Sequence, residues 1–591
     1  MINQSPFAQM SLHWRRWTLV FWIITACVMV ALRWPQIHFF VLADTDDNMR
    51  MMQVRALVNG QDWFDLRQYR LDPPGGADIH WSRFVDLPLA ALILILKPLI
   101  GMAAAEKAAI AVAPLLPLGI SFFALGYACR RLIGANAWLL STAMLICASA
   151  TIRMFMPTRI DHHGWQLAFL AVILAGLASP QKIRGGMTVG LATALSLVVG
   201  LEMLPYLAVA GAMLTLIWVW DSGEMLRLRG YAVALGGGTA LGYLGFASYA
   251  NRVARCDALS PVWLSVMVLA GALLFLATFI RTDRTLVKLG MAGAAGAIVL
   301  IVMHSVWPNC LSRPEGISPE LYRLWFQNIS EVKPLHQQKL LTALSNLMLP
   351  LSGLIGCAWF VWAKRGQPSQ RFWLPITILL LISTVMMFWQ TRAAPAAQLF
   401  AIPGAAALAW AVLPKLSNSR HFLLRTFGVV GALLAITGLA VPLVFMAIPE
   451  KKPTAIRAAV TKASGQCTTL SKLRPITQLP AATILTFVDL GPRLITVTHH
   501  NAIAGPYHRN GAAIIDVHHA FDGTADEART IARKHGATLV LICPNFAEST
   551  IYRTRSPKGF YVQLAKGQVP DWLTPVPLPT NSPFMLWRVV Q

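Results

Sequence analysis

Apolar runs long enough to cross a lipid bilayer recur from the N-terminus to about residue 447. A bilayer core needs about 20 apolar residues per helix, and only helices and closed barrels satisfy their backbone groups there. The chain is 56% hydrophobic and only 13% charged, about half the charged fraction of a typical soluble protein. The sequence therefore predicts a polytopic α-helical membrane protein, and its net charge of +24 does not indicate nucleic-acid binding.

Basic residues in the short loops orient these spans, because Lys and Arg beside a span mark the cytoplasmic side. Arg15 and Arg16 precede the first apolar run, which begins at Trp17 and has no convincing small-residue cleavage site after it. We therefore expect an uncleaved signal anchor with a cytoplasmic N-terminus. Basic pairs recur in later short loops: Arg130 and Arg131, Lys182 and Arg184, Arg227 and Arg229, Arg281 and Arg284, Lys364 and Arg365, and Lys415 and Arg420.

One apolar stretch, Leu87 to Gly101, decides the number of spans. If it crossed the membrane, the basic loop at Arg130 would face outward and the loop at Asp161 would face inward. As an interfacial or re-entrant helix, it keeps the basic loops on the cytoplasmic side. The sequence then predicts about thirteen spans, large external loops at 41–107 and 304–342, and an external C-terminus.

The composition changes after the last apolar run. Thr483 to Val488 and Ala537 to Ile542 are short apolar runs typical of buried strands. Between them, Thr524 to Glu527 has the spacing of a capping box, which opens a helix. We therefore predict a transmembrane domain over residues 1–448 and an external α/β domain over residues 449–591.

Four of the eight cysteines lie in or beside apolar runs and fit packing roles. Cys256 and Cys310 fall in polar loops, and Cys467 and Cys543 fall in the C-terminal region. If these regions face an oxidising compartment, two disulfides are possible. The pairing cannot be read from the sequence, and the cysteine spacing is not that of a metal site.

Acids and histidines cluster at three places that this topology puts outside the membrane. Carboxylates and imidazoles are ligands for Mn²⁺ or Mg²⁺, and a carboxylate can also transfer a proton. Each cluster alone equally fits solvated loop residues, so their position on one side is what indicates a site. The clusters are Asp44, Asp46 and Asp47, then Asp161, His162 and His163, and finally Glu331, which could also simply pair with Lys333.

Four stretches together resemble the catalytic subunit of oligosaccharyltransferases, which belong to the GT-C superfamily of lipid-donor glycosyltransferases. The resemblance covers the whole chain as an architecture and is densest in motifs over residues 40–170. It implies a GT-C fold with the same number of spans and an external C-terminal domain. The stretches are Asp44 with Arg50, Asp72 to Gly76 with His80 and Trp81, Asp161 to His163, and Asn328 to Glu331.

The resemblance also implies roles for the acids that follow the first span and for the later loop. Asp44 matches an acid that binds a metal and activates the acceptor, and Asp46 and Asp47 lie beside it as further catalytic candidates. Asp161 and His163 match metal ligands. The implied cofactor is a divalent metal, Mn²⁺ or Mg²⁺.

Two further roles are implied for residues later in the chain. Glu331 matches a catalytic glutamate in a mobile external loop, close to the metal and the acceptor. Arg392 lies about where the family keeps a basic residue that binds the phosphate of the donor. An arginine at the end of a span can also simply extend its charge to the interface.

One departure from the family concerns the acceptor. Members that glycosylate proteins on asparagine carry Trp-Trp-Asp in the external domain, where this chain has Val488 to Gly491 with only the Asp and the Gly of the pattern. The departure argues against Asn-x-Ser/Thr recognition and favours another sugar, a lipid or a different protein site as acceptor. The acceptor-side candidates are His80, His162, Asp489, Tyr507 and His508.

We therefore expect a multi-pass enzyme of a bacterial inner membrane with a cytoplasmic N-terminus and a periplasmic C-terminal domain. It would transfer a sugar or oligosaccharide, with inversion, from a polyprenyl-phosphate-type lipid donor to a glycan, lipid or protein acceptor. No nucleotide-sugar site is needed, and no Gly-rich phosphate loop is present. The alternatives are a transporter or flippase that uses the acids as an ion pathway, a protein N-oligosaccharyltransferase, and a scaffold that binds cell-wall polymer.

Overall fold

The computed structural model describes residues 10–312, 315–367, 370–448 and 453–590. The first part of the chain is helical. Its helices up to the loop of Asp161 are α1 (Trp14–Leu32), α2 (Trp34–His38), α3 (Thr45–Val58), α4 (Arg83–Ile100), α5 (Met102–Val112), α6 (Leu115–Leu132), α7 (Ala137–Cys147) and α8 (Ser149–Arg153). A short hairpin, β1 (Arg67–Gln68) and β2 (Ala77–Asp78), lies between α3 and α4.

Helices also form the remainder of the membrane part. They are α9 (His163–Leu177), α10 (Lys182–Val199), α11 (Leu204–Trp220), α12 (Met225–Phe246), α13 (Pro261–Ala277), α14 (Thr285–Val306), α15 (Pro319–Leu324), α16 (Leu340–Ala363), α17 (Gln370–Met386), α18 (Ala394–Ser417), α19 (Val429–Thr437) and α20 (Ala440–Met446).

The lengths of these helices confirm a multi-pass membrane protein. Among the described residues, six helices are long and apolar enough to cross a membrane. A seventh span results if the bent pair Leu424–Thr437 and Ala440–Met446 is taken as one. Five further apolar helices have 10 to 17 residues. Many apolar side chains of these long and short helices face outward. This exposure is expected of helices that are solvated by lipid tails.

Glycines let two pairs of helices pack backbone to backbone. A Cβ atom on Gly186 of α10 would lie 1.9 Å from the carbonyl oxygen of Arg227 on α12. A Cβ atom on Gly356 of α16 would lie 1.9 Å from the carbonyl oxygen of Gly404 on α18. Close packing of small residues is the usual way that helices associate within a bilayer.

Loops that the sequence predicts to be cytoplasmic meet on one face of the helix bundle. Arg371, in the first turn of α17, forms an ion pair with Asp221 and lies 3.6 Å from Glu224 in the loop before α12. Lys182 Nζ, at the start of α10, lies 3.8 Å from the same Glu224. Lys288 of α14 donates a hydrogen bond to Ser222. The acids of the three predicted clusters lie at the opposite ends of the helices.

The stretch from Leu87 to Gly101 forms most of α4, which turns back at Gly101 and packs against α5. Gly101 has a φ of 79°, a conformation that glycine adopts without strain. The carbonyl oxygen of Ile110 in α5 accepts a hydrogen bond from the amide of Thr158, at 2.9 Å. Because Thr158 precedes the Asp161 loop, the hairpin begins and ends on the face that carries the acids.

The C-terminal region contains a five-stranded mixed sheet in the order β4-β3-β5-β7-β6. The three strands β3, β4 and β5 are parallel, and β7 pairs antiparallel with both β5 and β6. The strands are β3 (Thr483–Leu485), β4 (Asn501–Ala502), β5 (Leu539–Ile542), β6 (Leu573–Pro575) and β7 (Met585–Val589). The helices are α21 (Ala455–Cys467), α22 (Leu470–Leu473), α23 (Gly491–Val497), α24 (Gly511–Asp522), α25 (Ala525–Lys534), α26 (Ser549–Arg555) and α27 (Phe560–Ala565).

Two sequence signals in this region appear as expected. The two predicted strands become β3 and β5, although β3 ends at Leu485, three residues before Val488. Thr524 and Glu527 form a reciprocal capping box at the start of α25.

The C-terminal region shares a hydrophobic core with the loop region of residues 41–107. Met49, Met52 and Trp81 of the loop are buried in one cluster with residues of the sheet and its helices. Leu71 forms a parallel bridge to Ala502, so the loop extends the sheet beyond β4. Burial of apolar area of this kind dominates association. The C-terminal region is therefore packed as one body with the loop after the first span.

The four loop cysteines form two disulfides, Cys256–Cys310 and Cys467–Cys543. The first joins the loop before α13 to the segment that follows α14. The second joins α21 to the end of β5. Both lie on the face of the acids, as an oxidising compartment on that side would allow.

Candidate active site

Asp44 begins the site because it caps α3. Its Oδ1 accepts a hydrogen bond from the amide of Thr45 at 2.6 Å. Asp46 and Asp47 follow in the first turn, where the positive end of the helix dipole favours acids. The sequence Ala43 to Asp47 therefore folds locally into a helix start that holds three carboxylates together.

Asp47 connects this helix to the second predicted cluster. Its Oδ1 accepts hydrogen bonds from the amides of Ile160 and Asp161, at 2.6 and 2.9 Å. Asp161 Oδ1 in turn accepts from the amide of His163, at 3.1 Å, where α9 begins. Two loops more than 110 residues apart in the chain thus meet at one place, as the sequence predicts.

Arg159 lies between the carboxylates. Its Nη1 is 2.8 Å from Asp44 Oδ2 and 3.6 Å from Asp47 Oδ2, and its Nη2 is 2.7 Å from Asp161 Oδ2. Its side chain is 14% exposed, while those of Asp47 and Asp161 are fully buried. Sequence reasoning did not select Arg159, although its position two residues before Asp161 was the available signal.

The pKa values reflect this crowding of charge. Burial, together with the neighbouring acids, raises the pKa of Asp46 and of Asp47 well above the usual aspartate value. Burial also acts against ionisation of Asp161, but Arg159 and His163 outweigh it and lower its pKa to about 2. Because burial acts against ionisation, the carboxylates need a neighbouring cation to stay negatively charged.

The chemistry of the donor set fits the divalent ion that the family resemblance implies. Apart from the ion pairs with Arg159, the buried Oδ2 atoms of Asp47 and Asp161 accept no hydrogen bond from the described residues. Carboxylate oxygens are the preferred ligands of Mg²⁺ and suit Mn²⁺. In the present arrangement the guanidinium of Arg159 supplies the positive charge. Within the part of the chain that the structure describes, no three His, Cys, Asp or Glu side chains are arranged to hold an ion.

His162 faces away from the carboxylates and towards Glu202. Its Nε2 lies 3.1 Å from Glu202 Oε1, and Gln166 donates a hydrogen bond to the other oxygen of that glutamate. Burial lowers the pKa of His162, with a further decrease from the neighbouring His163. Glu202 lies in the short loop before α11, and its pairing with His162 could not be predicted from the sequence.

Two acceptor-side candidates reach the carboxylates from the C-terminal region. The hydroxyl of Tyr507 donates to the carbonyl oxygen of Thr45 at 3.1 Å, and its ring packs edge-on against Trp81 with centroids 5.5 Å apart. Asp489 follows β3 on the same side. Burial and the charge of Asp44 raise the pKa of Asp489 to about 6.

The two remaining acceptor-side candidates lie together beside an ion-pair cluster. The rings of His80 and His508 are 4.5 Å apart between centroids. His508 Nε2 lies 2.6 Å from Asp257 Oδ2, and Arg509 contacts the same carboxylate. Burial lowers the pKa of His80 well below its ordinary value, and the charges of His508 and Arg509 add to this effect.

Arg50, one of the residues that carry the family resemblance, supports the site from behind. Its Nη1 donates to Asp86 at 2.8 Å, and both side chains are fully buried. Its guanidinium lies over the ring of Trp81, 4.3 Å from the centroid. Arg50 therefore anchors the first loop and is separate from the carboxylates.

Glu331 and Arg392 lie on the second large loop and at the start of α18. Glu331 is exposed in the turn Ser330–Val332, close enough to His163 for their charges to interact. Within the described residues, no ion pair joins it to Lys333. Arg392 Nη2 lies 3.7 Å from Glu315, and the side chain is 38% exposed. The described contacts do not bring Arg392 to the carboxylates.

Solved structures place this arrangement among known proteins. The archaeal oligosaccharyltransferase AglB from Archaeoglobus fulgidus, in complex with an inhibitory peptide and a dolichol-phosphate, matches with a TM-score of 0.66 and 14% identity. The match covers 95% of this chain and 72% of that chain. The chain has the fold of the oligosaccharyltransferases.

Two other structures of an Archaeoglobus fulgidus oligosaccharyltransferase share this fold. One is tethered to an acceptor peptide containing the NVT sequon and matches with a TM-score of 0.63, 15% identity, and coverage of 97% of this chain and 74% of that chain. The other, a complex with Zn and sulfate, matches with a TM-score of 0.60, 14% identity, and coverage of 97% and 73%. No family model and no curated protein sequence matches the chain.

Proposed function

We propose that this chain is a membrane glycosyltransferase that takes a sugar or oligosaccharide from a polyprenyl-phosphate-type lipid and transfers it to an acceptor on the periplasmic side. One observation carries the proposal. Asp44, Asp47 and Asp161, from two distant loops, converge around Arg159 on the face opposite the basic loops. The oligosaccharyltransferase fold is the framework in which such a site is expected.

The acceptor is activated by one of the three acids at the start of α3. A carboxylate of Asp44, Asp46 or Asp47 accepts a proton from the acceptor atom as that atom attacks the anomeric carbon. A bond forms between the acceptor and the anomeric carbon, while the bond from that carbon to the phosphate oxygen breaks on the opposite side. The lipid phosphate leaves with the electron pair, and the sugar is inverted. The raised pKa of Asp46 and Asp47 suits a proton acceptor.

Asp44, Asp161 and His163 are the residues that we propose to hold Mn²⁺ or Mg²⁺. Such an ion supplies charge neutralisation for a leaving phosphate. Glu331, whose charge acts on His163, is the residue that we propose to complete the site from the second external loop. Arg392, partly exposed at the start of α18, is the proposed contact for the donor phosphate, since a guanidinium binds phosphate with two parallel hydrogen bonds.

The acceptor approaches from the C-terminal region. Tyr507 and Asp489 border the first-turn acids, and His80, His162 and His508 lie further along the same side. We propose a glycan, a lipid or a protein site other than Asn-x-Ser/Thr as acceptor, because Val488 to Gly491 lacks the tryptophan pair of the protein-glycosylating pattern.

The proposed topology has thirteen spans in a bacterial inner membrane. The catalytic domain is residues 1–448, and the periplasmic domain is residues 449–591. A transporter would instead place its ionisable residues within the spans. Here Asp44, Asp161 and Glu202 all lie in loops or at helix starts.

A strain that lacks the gene tests the proposal. It is complemented with the wild-type chain, with Asp161→Asn or with Asp571→Asn, a matched control at an exposed acid far from the site. Lipid extracts are analysed by mass spectrometry for polyprenyl-phosphate-linked sugars, and envelope glycans, lipids and proteins are analysed for a lost sugar. We expect the lipid-linked sugar to accumulate without the gene and with Asp161→Asn only. Normal transfer by Asp161→Asn would refute the proposal.

A further inference from the structure

In each of the three carboxylates that surround Arg159, the two oxygens have different partners. The Oδ1 atoms accept backbone hydrogen bonds: Asp44 from Thr45, Asp47 from Ile160 and Asp161, and Asp161 from His163. The Oδ2 atoms of all three acids point at Arg159. The backbone thus fixes one oxygen of each acid and leaves the other for a cation.

A metal ion held by Asp44, Asp161 and His163 has to use the Oδ2 atoms of the two acids, which now face Arg159, and Asp47 Oδ2 lies beside them. A divalent ion binds carboxylate oxygen at roughly 2.0–2.6 Å, whereas the Arg159 nitrogens lie at 2.7, 2.8 and 3.6 Å. Both cations cannot occupy this space, because they would overlap and their charges would repel each other at short range. The Oδ1 atoms are not an alternative unless the loop gives up its backbone hydrogen bonds.

We propose that Arg159 is the resident counter-cation of the site, and that a divalent ion binds there only when the guanidinium leaves the three Oδ2 atoms. The exit lies towards Asp44, whose side chain is 46% exposed. On the inner side, the cavity that Arg159 and Asp161 line has a volume of only about 10 Å³, room for roughly one water molecule. Arg159 therefore sets the affinity of the site for the metal.

The inference deepens the proposed function and takes the identity of the cofactor from it. Its test uses Mn²⁺ alone, without donor or acceptor, so failure of the inference and failure of sugar transfer are separate results.

The first experiment measures Mn²⁺ binding to the full-length protein in detergent by isothermal titration calorimetry. We expect Arg159→Gln, which removes the competing charge, to bind Mn²⁺ at least about tenfold more tightly than the wild type. Arg159→Lys keeps the positive charge but replaces the planar guanidinium by an ammonium group, and it should bind Mn²⁺ more weakly than Arg159→Gln. Arg153→Gln is the matched control, because Arg153 is exposed on α8 and, among the described contacts, donates only to the carbonyl oxygen of Ser149. The affinity of this variant for Mn²⁺ should equal that of the wild type.

Equal or weaker Mn²⁺ binding by Arg159→Gln would overturn the inference, and so would the absence of binding in both proteins. Binding by Arg159→Gln alone would support it, since the resident guanidinium would then exclude the ion completely.

If Arg159→Gln does not fold, a second experiment tests the inference on the wild-type protein. Its arginines are labelled with phenylglyoxal and quantified by mass spectrometry. Saturating Mn²⁺ should increase labelling of Arg159 and leave Arg153 unchanged, and unchanged labelling of Arg159 would overturn the inference.

Discussion

Arg509 gives the sharpest prediction about how the C-terminal region is held in place. Its Nε and Nη2 donate to the two oxygens of Asp257, each at 2.8 Å. Its Nη1 donates to Asp78 at 2.9 Å, and Nη2 also donates to Asn251 at 2.8 Å. The arginine is 6% exposed, and Asp257 and Asp78 are 9% and 16% exposed. One side chain therefore joins the C-terminal region to two separate loops of the membrane part.

The substitution Arg509→Ala should cost about 3–5 kcal/mol. That is the range for removing one partner of a buried ion pair, because the other charge stays buried without compensation. Here two carboxylates lose their arginine, and among the described contacts only Asp257 keeps a charged partner, His508. Arg509→Lys should recover part of the loss, since an ammonium keeps the charge but cannot form the two-pronged contact with Asp257.

Thermal unfolding of the purified protein in detergent measures the effect, together with proteolytic release of the C-terminal region. A loss of this size corresponds to a decrease in melting temperature of roughly 10 °C for a unit of about 150 residues. Arg533→Ala, at an exposed arginine of α25, is the control and should stay within about 0.5 kcal/mol of the wild type. A melting temperature of Arg509→Ala equal to that of the control would refute this account of the interface.

The pH dependence of the same variant provides a second check. Burial acts against ionisation of Asp257, but hydrogen bonds from Arg509 and His508 outweigh it and lower its pKa. A group with a lowered folded pKa contributes stability above its unfolded pKa, which is about 3.9 for aspartate, and loses it as the pH falls through the folded pKa. The difference between the wild type and Arg509→Ala should therefore be constant from neutral pH to about pH 4 and shrink below it.

Three further predictions concern stability. Burial and the neighbouring carboxylate of Asp489 raise the pKa of Glu548 from 4.5 to about 8. The protonated carboxyl stabilises the folded protein at acidic pH, and this stabilisation is lost as the pH rises towards 8. Glu548→Gln should therefore flatten the decline in melting temperature between about pH 4.5 and pH 8. The Cys467–Cys543 disulfide closes a loop of 76 residues, and chain entropy predicts that Cys467→Ser costs about 4 kcal/mol, which unfolding with and without reductant measures. Gly356→Ala would place a Cβ 1.9 Å from a carbonyl oxygen of the facing helix and should cost at least about 1–3 kcal/mol; Gly296→Ala, which meets nothing within 4 Å, should be neutral, and equal melting temperatures would contradict the packing argument.

Several parts of the fold could be predicted because their signals are local. The strand β5 and the capping box of Thr524 and Glu527 follow from residue types within a few positions. The end of β3 could not be predicted in the same way. The apolar run continues to Val488, but the strand ends at Leu485, since the amides of Val488 and Asp489 donate to Glu548 after the neighbouring strand. That partner lies 59 residues away.

The site divides in the same manner. Asp44, Asp47 and Asp161 were predictable as acids beside spans, where each needs a reason for its charge. The signal for Arg159 was only its position two residues before Asp161. An arginine or a glutamate in a loop, such as Arg159 or Glu202, is usually solvated. Their roles follow only from the partners that folding brings to them, three carboxylates in one case and His162 in the other.

The sequence by itself determined that this chain is a multi-pass helical membrane protein, because the length of an apolar run and the charge of the loop after it act through the solvent and need no distant partner. The tertiary structure alone decided which cysteines pair, which acids share a cation and which arginine lies between them. These outcomes depend on distances of a few ångströms between segments that lie from 54 to more than a hundred residues apart in the chain, and such distances exist only once the helices have packed.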